Sequence, residues 1–230
     1  MANYFPIQTE ACEKSTLPHT SMNYYIPIQT EACEKSTPPR YTSHILGRRF
    51  ALTPTSYKWL DIGINAGSIS YVELVLGDNC GNQIALPYKT WRSLIEKRMD
   101  IEGLMQSKTA PLLIHELIVQ QIKLREEHII KLTLHNTYIC MKPATVSFMF
   151  ELEHCIEHVY FALCQNMNNV TDKYKYFVTY LRQNCITNKN DAVNILRKIY
   201  DKSSHIECEL IAYASDNIAY DSLNATNKIL

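Results

Sequence analysis

The fold is decided by a stretch that occurs twice in diverged form. Residues 70–103 read SYVELVLGDNCGNQIALPYKTWRSLIEKRMDIEG, and residues 128–158 read HIIKLTLHNTYICMKPATVSFMFELEHCIEH. Each stretch first alternates apolar and polar residues, which is typical of β-strands, and then changes to the spacing of an amphipathic helix. The two stretches therefore indicate a duplicated structural unit.

The two copies align with a single change of offset. Val72, Leu74 and Leu76 correspond to Ile130, Leu132 and Leu134 at an offset of 58 residues. From Leu86 onward, which corresponds to Met141, the offset is 55 residues. A change of register located in a turn is what a diverged duplication should produce.

The segment before the first copy also alternates. In FALTPTSYKWLDIGI, residues 50–64, the side chains of Leu60, Ile62 and Ile64 fall on one face of a strand. The first unit is therefore predicted to contain four short strands and one helix. The predicted fold class is α+β: a tandem pair of four-stranded antiparallel sheet plus helix units packed as a pseudo-dimer, with a C-terminal helical hairpin.

Composition divides the chain into four regions. The tandem sheet–helix core covers 46–166, and its second helix, 143–164, is apolar on most sides, which predicts a buried helix. Two helical patterns joined by ITNK predict a helical hairpin over 167–205, with Asn190 or Asp191 as the N-cap of its second helix. Residues 206–230 are predicted to form an irregular C-terminal tail.

The N-terminal region, 1–45, repeats the sequence PIQTEACEKST at 6–16 and again at 27–37. Its prolines lie among Ser, Thr, Gln and Glu, and its apolar residues follow no period, so we expect a disordered tail. The repeat is either a recent duplication tolerated in such a tail or a linear motif presented twice to a multivalent partner.

Composition excludes some classes of protein. The 23 basic residues balance the 23 acidic residues, which argues against coating nucleic acid by bulk electrostatics. The eight cysteines contain no CxxC pair, and the N-terminus lacks the pattern of a signal peptide, so we expect reduced thiols in the nucleus or cytoplasm. The apolar runs are too short for a membrane span. No cofactor is expected.

The junction QIALPYKTWRSL, Gln83–Leu94, has the form Ile-x-Leu-x4-Trp-x2-Leu. It resembles the strand-to-helix junction of the Positive Cofactor Four family of transcriptional coactivators, and the tandem plan resembles the related Whirly proteins. The resemblance implies a single-stranded-DNA-binding fold. Gln83 stands where that family has a glycine, Val146 replaces Trp91 in the second copy, and the family's basic, serine-rich tail is absent.

Alternation places several aromatic and basic residues on the face opposite the predicted core. A sheet face of this kind can stack single-stranded bases, so we predict a single-stranded nucleic-acid-binding accessory factor in transcription or genome maintenance. The predicted contact residues are Arg49, Tyr57, Trp59, Tyr71, Lys131 and Tyr138, with Lys123 as a further basic residue. Asp61 and Glu73, on the same face, weaken the electrostatic case.

The alternative is a protein–protein interaction or assembly module, in which this face is covered and Tyr57 and Trp59 belong to the core. The apolar helix at 143–164 would then bind a partner or a second copy of the chain.

Two further patterns carry possible chemistry. HCIEH, residues 154–158, matches the inverted zinc-peptidase motif, with His154 and His158 as ligands and Glu157 as base, or a structural metal site with Glu151. The helices flanking ITNK could form a helix-turn-helix. Neither a nucleophile motif nor a phosphate-binding glycine loop occurs in the sequence, so we predict a non-enzymatic protein without a metal.

Overall fold

The computed structural model describes residues 44–107 and 110–227. Its first unit is an antiparallel sheet in the order β1–β2–β3–β4, followed by two short helices. The elements are β1 (Ile45–Ala51), β2 (Lys58–Asn65), β3 (Tyr71–Asp78), β4 (Gln83–Leu86), α1 (Tyr88–Glu96) and α2 (Arg98–Gln106). Leu60, Ile62 and Ile64 are buried, as their alternation predicts.

The second unit repeats the same order. Its sheet runs β5–β6–β7–β8 and is also antiparallel. The elements are β5 (Leu112–Ile114), β6 (Leu117–Leu124), β7 (Glu127–Leu134), β8 (Thr137–Met141), α3 (Pro143–Glu151) and α4 (Glu153–Cys164). The predicted α+β class with two sheet–helix units is confirmed.

The expected continuous helix over 143–164 is wrong, because the helix breaks at Leu152, where φ is −80° and ψ is −1°. The first unit breaks at Lys97, where φ is −92° and ψ is 18°. These two residues are 55 positions apart, the offset found in the sequence. Each break ends one helix and begins another, and both helices of each pair bury apolar residues. The shared position of the break supports the duplication.

The strand alignment of the two copies needs a correction. Leu86 pairs with Leu74, and its counterpart Met141 pairs with Ile130. Leu74 therefore corresponds to Ile130 at an offset of 56 residues, and not to Leu132 at 58. Both offsets keep the apolar residues on the same face, because side chains alternate with a period of two.

The two units exchange their second helices. Helix α2 packs on β6 and β7 of the second sheet, and α4 packs on β2 and β3 of the first. Strands β4 and β8, the last of each sheet, also contact each other. Both helix pairs bury their apolar residues in one shared core, whose largest fully buried side chains include Trp91 and Phe150. The tandem core is therefore a pseudo-dimer.

Three helices follow the core: α5 (Met167–Gln183), α6 (Lys189–Ile199) and α7 (His205–Asn227). The cap of α6 is Asn188, whose side chain accepts a hydrogen bond from the Asp191 amide at 2.9 Å, and not Asn190 or Asp191. The predicted irregular tail is also wrong, since most of it forms α7. This helix buries Leu210 and Ala214 against α5 and α6.

Helix α7 also contacts the edge of the first sheet. The Leu46 amide donates to Glu209 Oε2 at 2.6 Å, and the Tyr213 hydroxyl donates to Asn65 Oδ1 at 2.7 Å. These bonds satisfy backbone and side-chain groups that an open edge would leave to water.

Within the described ranges, no helix has the length and apolarity to cross a membrane. The predicted disordered tail covers 1–45, but Ile45 begins β1 and is buried. Residues 1–43, with both copies of PIQTEACEKST, lie outside the described residues.

Candidate functional site

The outward face, the side of both sheets that faces away from helices α1–α4, carries most of the predicted residues. Strand register places alternate residues of each strand on this face. On the first sheet these include Arg49, Trp59, Asp61, Gly63, Asn65, Tyr71, Glu73, Val75, Gly77, Gln83 and Ala85. On the second sheet they include Ile118, Gln120, Ile122, Leu124, Ile129, Lys131, Thr133, Tyr138 and Cys140.

At the centre of the first sheet, Arg49 and Asp61 form a bidentate ion pair between neighbouring strands. Arg49 Nε and Nη2 donate to the two carboxylate oxygens of Asp61, each at 2.7 Å. The guanidinium carbon also lies 4.1 Å from the ring centroid of Trp59. Asp61 therefore compensates the positive charge of Arg49, which the sequence analysis predicts to contact nucleic acid.

Trp59 is only 5% exposed, although its strand position is on the outward face. Its ring is packed between Arg49 and Gly77, its cross-strand neighbour. A Cβ at position 77 would lie 2.3 Å from the indole, so the close approach requires glycine. The indole packs beneath the guanidinium of the ion pair and has no exposed face on which a base could stack.

Tyr57 lies just before β2 and is 42% exposed. Its hydroxyl is 2.9 Å from Cys80 Sγ in the β3–β4 turn, and this hydrogen bond raises the pKa of Tyr57. Lys58 Nζ lies 5.2 Å from the Tyr57 ring centroid and donates to Asp78 Oδ2 at 2.8 Å. Although burial opposes ionisation of Asp78, hydrogen bonds from Lys58 and Asn82 lower the pKa of this carboxyl.

The β3–β4 connection, GDNCGN, is a hairpin turn. Asp78 Oδ1 accepts hydrogen bonds from the amides of Cys80 and Asn82, and Gly81 adopts a φ of +88°. The turn thus positions Cys80 beside Tyr57.

Tyr71, at the other end of the first sheet, is 50% exposed. Its hydroxyl accepts a hydrogen bond from Asn65 Nδ2 at 3.0 Å. The adjacent Glu73 Oε2 accepts from His44 Nε2 at 3.0 Å and from Asn65 Nδ2 at 3.3 Å. The hydrogen bond from His44 is the main reason that the pKa of Glu73 is lowered. Glu73 is therefore an anion at neutral pH.

On the second sheet, Tyr138 is 49% exposed, and Lys131 Nζ lies 4.3 Å from its ring centroid. This pair combines a cation with a half-exposed ring, as the sequence predicts. Cys140, next to it, is partly buried, and burial raises the pKa of its thiol despite the nearby charges of Lys58 and Lys131. All six described cysteines are free thiols.

The two outward faces differ chemically. Ile118 lies opposite Thr133, which corresponds to Gly77 at the offset of 56, so Ile118 takes the place of Trp59. By the same correspondence, Gln120 takes the place of Asp61. The second unit thus has no counterpart of Trp59 or of the Arg49–Asp61 ion pair, and its outward face is more apolar than that of the first unit.

A groove of about 360 Å³ crosses the junction where β4 and β8 meet. Both outward faces contribute to it, so Tyr138 of the second sheet and Glu73 of the first line the same space. Its lining residues are His44, Glu73, Val75, Gly81, Asn82, Gln83, Ala85, Asn136, Thr137 and Tyr138.

The structure brings some of the predicted residues together and separates others. Arg49 and Trp59 form the central layer, Tyr57 and Tyr71 lie toward the two ends of the first sheet, and Lys131 and Tyr138 form a pair beside the groove. The strand position of Lys123 is on the other face of the second sheet, and its Nζ lies 3.4 Å from Glu126 Oε2. These positions do not test binding, so the predicted contacts remain predictions.

Sequence reasoning missed the groove and its polar lining, including His44, Gln83 and Asn136. One signal was available, because glycines inside strands often mark a close approach of other groups. Gly63 is such a case, since a Cβ there would lie 2.3 Å from the Cβ of His44. The contact between β4 and β8 has no local sequence signal.

The two histidines of the HCIEH motif, His154 and His158, are exposed on α4, while Ile156 between them is buried. Glu157 is bonded to Arg92 of α1, and His154 Nδ1 is 3.9 Å from Glu157 Oε2. Glu153, His154 and Glu157 could surround one ion, a set that leaves out His158. Because Arg92 already compensates Glu157, this cluster is explained as a surface ion-pair network.

The α5–α6 pair is part of a three-helix layer with α7. Ala192 and Leu196 of α6 are buried in this layer, while Arg197 and Lys198 are exposed. Packing therefore accounts for the apolar stripe of α6.

No family model, curated protein or solved structure matches this chain.

Proposed function

We propose that the outward face binds single-stranded nucleic acid, and that the protein is a non-enzymatic accessory factor in transcription or genome maintenance. The observation that carries this proposal is the placement of Tyr57, Tyr71 and Tyr138. All three are about half exposed: Tyr57 precedes β2, Tyr71 lies at the start of β3, and Tyr138 lines the groove to which both sheets contribute. Each base stacked on such a ring contributes roughly 1–3 kcal/mol, whatever its identity.

Single strands fit this surface better than duplexes do. Stacking on a protein ring requires an unstacked base, which a duplex presents only at its ends or after unpairing. The outward face also offers few cations, and a duplex binder needs many phosphate contacts. Stacking is therefore the main source of affinity that the surface can supply.

The charges on the outward face are largely compensated. Arg49 is paired with Asp61, and Lys58, at the end of β2 beside this face, is paired with Asp78. Lys131 is different, because no carboxylate of the described residues lies within ion-pair distance of its Nζ, which instead contacts the Tyr138 ring. Lys131 is thus the residue best suited to hold a phosphate next to a stacked base.

Arg49 and Trp59 take a different role in this proposal from the one that the sequence suggests. Trp59 is too buried to stack on a base, and the Arg49–Asp61 pair is neutral as a unit. Their contacts join β1, β2 and β3 between Tyr57 and Tyr71. The contacts with nucleic acid are made by the three tyrosines and Lys131.

The test is fluorescence anisotropy with labelled single-stranded and double-stranded oligonucleotides at low salt. We expect the wild type to prefer single strands. Tyr138→Ala should weaken single-strand binding about tenfold, while Tyr138→Phe should bind like the wild type because the ring is kept. Tyr176→Ala is a matched control, since Tyr176 is also 50% exposed but lies on α5. Absence of binding to any strand would refute the proposal.

A second candidate is a protein-interaction or assembly module. The second sheet exposes Leu113 at 66% and Leu124 at 57%, and the helices α3 and α4 expose Phe148 and Phe161. Size-exclusion chromatography with light scattering across protein concentrations distinguishes the two functions. A concentration-dependent oligomer that Leu124→Gln abolishes, with no effect of nucleic acid, would favour this second candidate.

A further inference from the structure

The groove at the β4–β8 junction has the size of a site for a single small unit. Its volume of about 360 Å³ lies at the lower end of the range of small-ligand pockets, roughly 300–1,000 Å³. Tyr138 forms part of its wall, and Lys131 lies over one side of that ring. The other side is the one available to a flat group that enters the groove.

Several polar groups in the groove have hydrogen-bonding capacity to spare. The side-chain amides of Gln83 and Asn136 have no hydrogen-bond partner among the residues that the structure describes, and each amide can both donate and accept. Glu73 uses Oε2 for His44 and Asn65, while no described residue bonds to its Oε1. A ligand in the groove therefore meets one carboxylate acceptor and two amides.

The charge of Glu73 decides which part of a nucleotide can enter. The carboxylate is ionised at neutral pH, because His44 lowers its pKa, and it would repel a phosphate. A nucleobase carries no charge, and its hydrogen-bonding edge can be bound by carboxylate and amide groups. The phosphate would then stay outside, near Lys131.

We infer that this groove is a base-selective subsite that accepts a nucleobase bearing an exocyclic amino group, such as cytosine or adenine, in preference to uracil or thymine. An amino group donates to the free Oε1 of Glu73, as carboxylates do to cytosine N4. Uracil presents a carbonyl oxygen at that position, which would face the carboxylate oxygen without a proton between them. This inference rests on the proposed function and adds sequence preference to it.

The test compares binding of two single-stranded homopolymers of about 12 nucleotides, oligo(dC) and oligo(dU), by anisotropy. This pair holds ring size and backbone constant and changes the group at C4 from amino to carbonyl. We expect the wild type to bind oligo(dC) about tenfold more tightly than oligo(dU). Oligo(dA), which also has an amino group, should rank with oligo(dC).

Two variants assign the preference to the groove. Glu73→Gln replaces the obligate acceptor by an amide that can also donate, so the preference for oligo(dC) should fall to about twofold or less. Gln83→Ala leaves the Glu73–His44 hydrogen bond in place and should also reduce the preference, with no loss of folding. Glu126→Gln makes the same chemical change at a carboxylate that is 93% exposed, and should keep the wild-type preference.

The failures of the two proposals are distinguishable. If the wild type binds oligo(dC) and oligo(dU) equally, or prefers oligo(dU), the base-selective subsite is overturned while single-strand binding stands. If Glu73→Gln and Gln83→Ala both keep the tenfold preference, the groove is not its source and the inference is wrong. If the wild type binds none of the homopolymers, the proposed function fails and the subsite fails with it.

Discussion

The indole of Trp59 lies against the backbone of Gly77, its neighbour across the β2–β3 ladder, so closely that a Cβ would stand 2.3 Å from the ring. We expect Gly77→Ala to force the indole and the overlying Arg49 out of position. The free energy of unfolding should fall by about 1–3 kcal/mol, the usual cost of overpacking. Urea denaturation followed by circular dichroism measures this change.

The matched control for that substitution is Gly103→Ala in α2. A Cβ at position 103 meets no atom within 4 Å. Alanine is also the better helix former, by about 1 kcal/mol. This variant should therefore be as stable as the wild type or more so. Equal stability of Gly77→Ala and the wild type would contradict the packing described for Trp59.

Breaking the Arg49–Asp61 ion pair should lower stability and raise the affinity for single strands. Asp61→Asn removes the carboxylate that compensates Arg49, at a cost of about 1.5–3 kcal/mol for hydrogen bonds to a charged group. The uncompensated guanidinium should then attract phosphate, so affinity for single strands should rise. Denaturant titration and anisotropy together check this pattern. A variant that binds single strands no more tightly than the wild type would contradict the expected attraction of phosphate by Arg49.

Lys131 should determine much of the salt dependence of binding. Each phosphate contact on a single strand contributes about −0.7 to the slope of log K against log salt. Lys131→Gln should therefore make the slope shallower by about 0.7, as measured by anisotropy over a series of salt concentrations. Lys123→Gln is the control, because Lys123 is already paired with Glu126. An unchanged slope for Lys131→Gln would show that Lys131 makes no phosphate contact.

The Glu73–His44 bond should appear as acid sensitivity. Folding lowers the pKa of Glu73, so its contribution to stability is present above the unfolded value, about 4.3, and is lost as the pH falls through the folded value. Glu73→Gln should thus lose less stability than the wild type between about pH 5 and pH 3. Asp78, whose pKa is also lowered, keeps part of the dependence. Thermal unfolding across this range measures the difference, and identical acid dependence in both proteins would contradict it.

Much of the core could be predicted from sequence because its signals are local. Alternation in β2 and β3 identified buried Leu60 and Leu74, and the change to helical spacing identified the helix that buries Trp91. The predicted offset between β3 and β7, 58 residues, was wrong by two because alternation alone cannot distinguish registers that differ by two residues. A shift of two positions leaves every apolar residue on its original face.

The errors share a tertiary cause. The breaks at Lys97 and Leu152 contain neither Gly nor Pro, and each lets one helix pack on the sheet of the other unit. Helix α7 was missed because polar residues are buried in it. Ser215, for example, is fully buried, and its hydroxyl donates to the Ile211 carbonyl at 2.6 Å. A polar residue at a buried position interrupts the apolar spacing by which a helix is recognised in sequence.

The candidate site was predictable only in part. Alternation correctly placed Trp59 and Tyr71 on the outward face, but it carries no information on what covers a residue there. The burial of Trp59 depends on Arg49 from the neighbouring strand and on the absence of a side chain at Gly77. The groove depends on the meeting of β4 and β8, which are far apart in sequence.

The most direct test of single-strand binding by the outward face is photocrosslinking of the wild type to a single strand that contains 5-bromouracil, with the linked residues identified by mass spectrometry. We expect crosslinks at Tyr57, Tyr71 and Tyr138. Crosslinks confined to Phe148 and Phe161, or to Arg197 and Lys198 on α6, would place the nucleic acid elsewhere and contradict the role of this face.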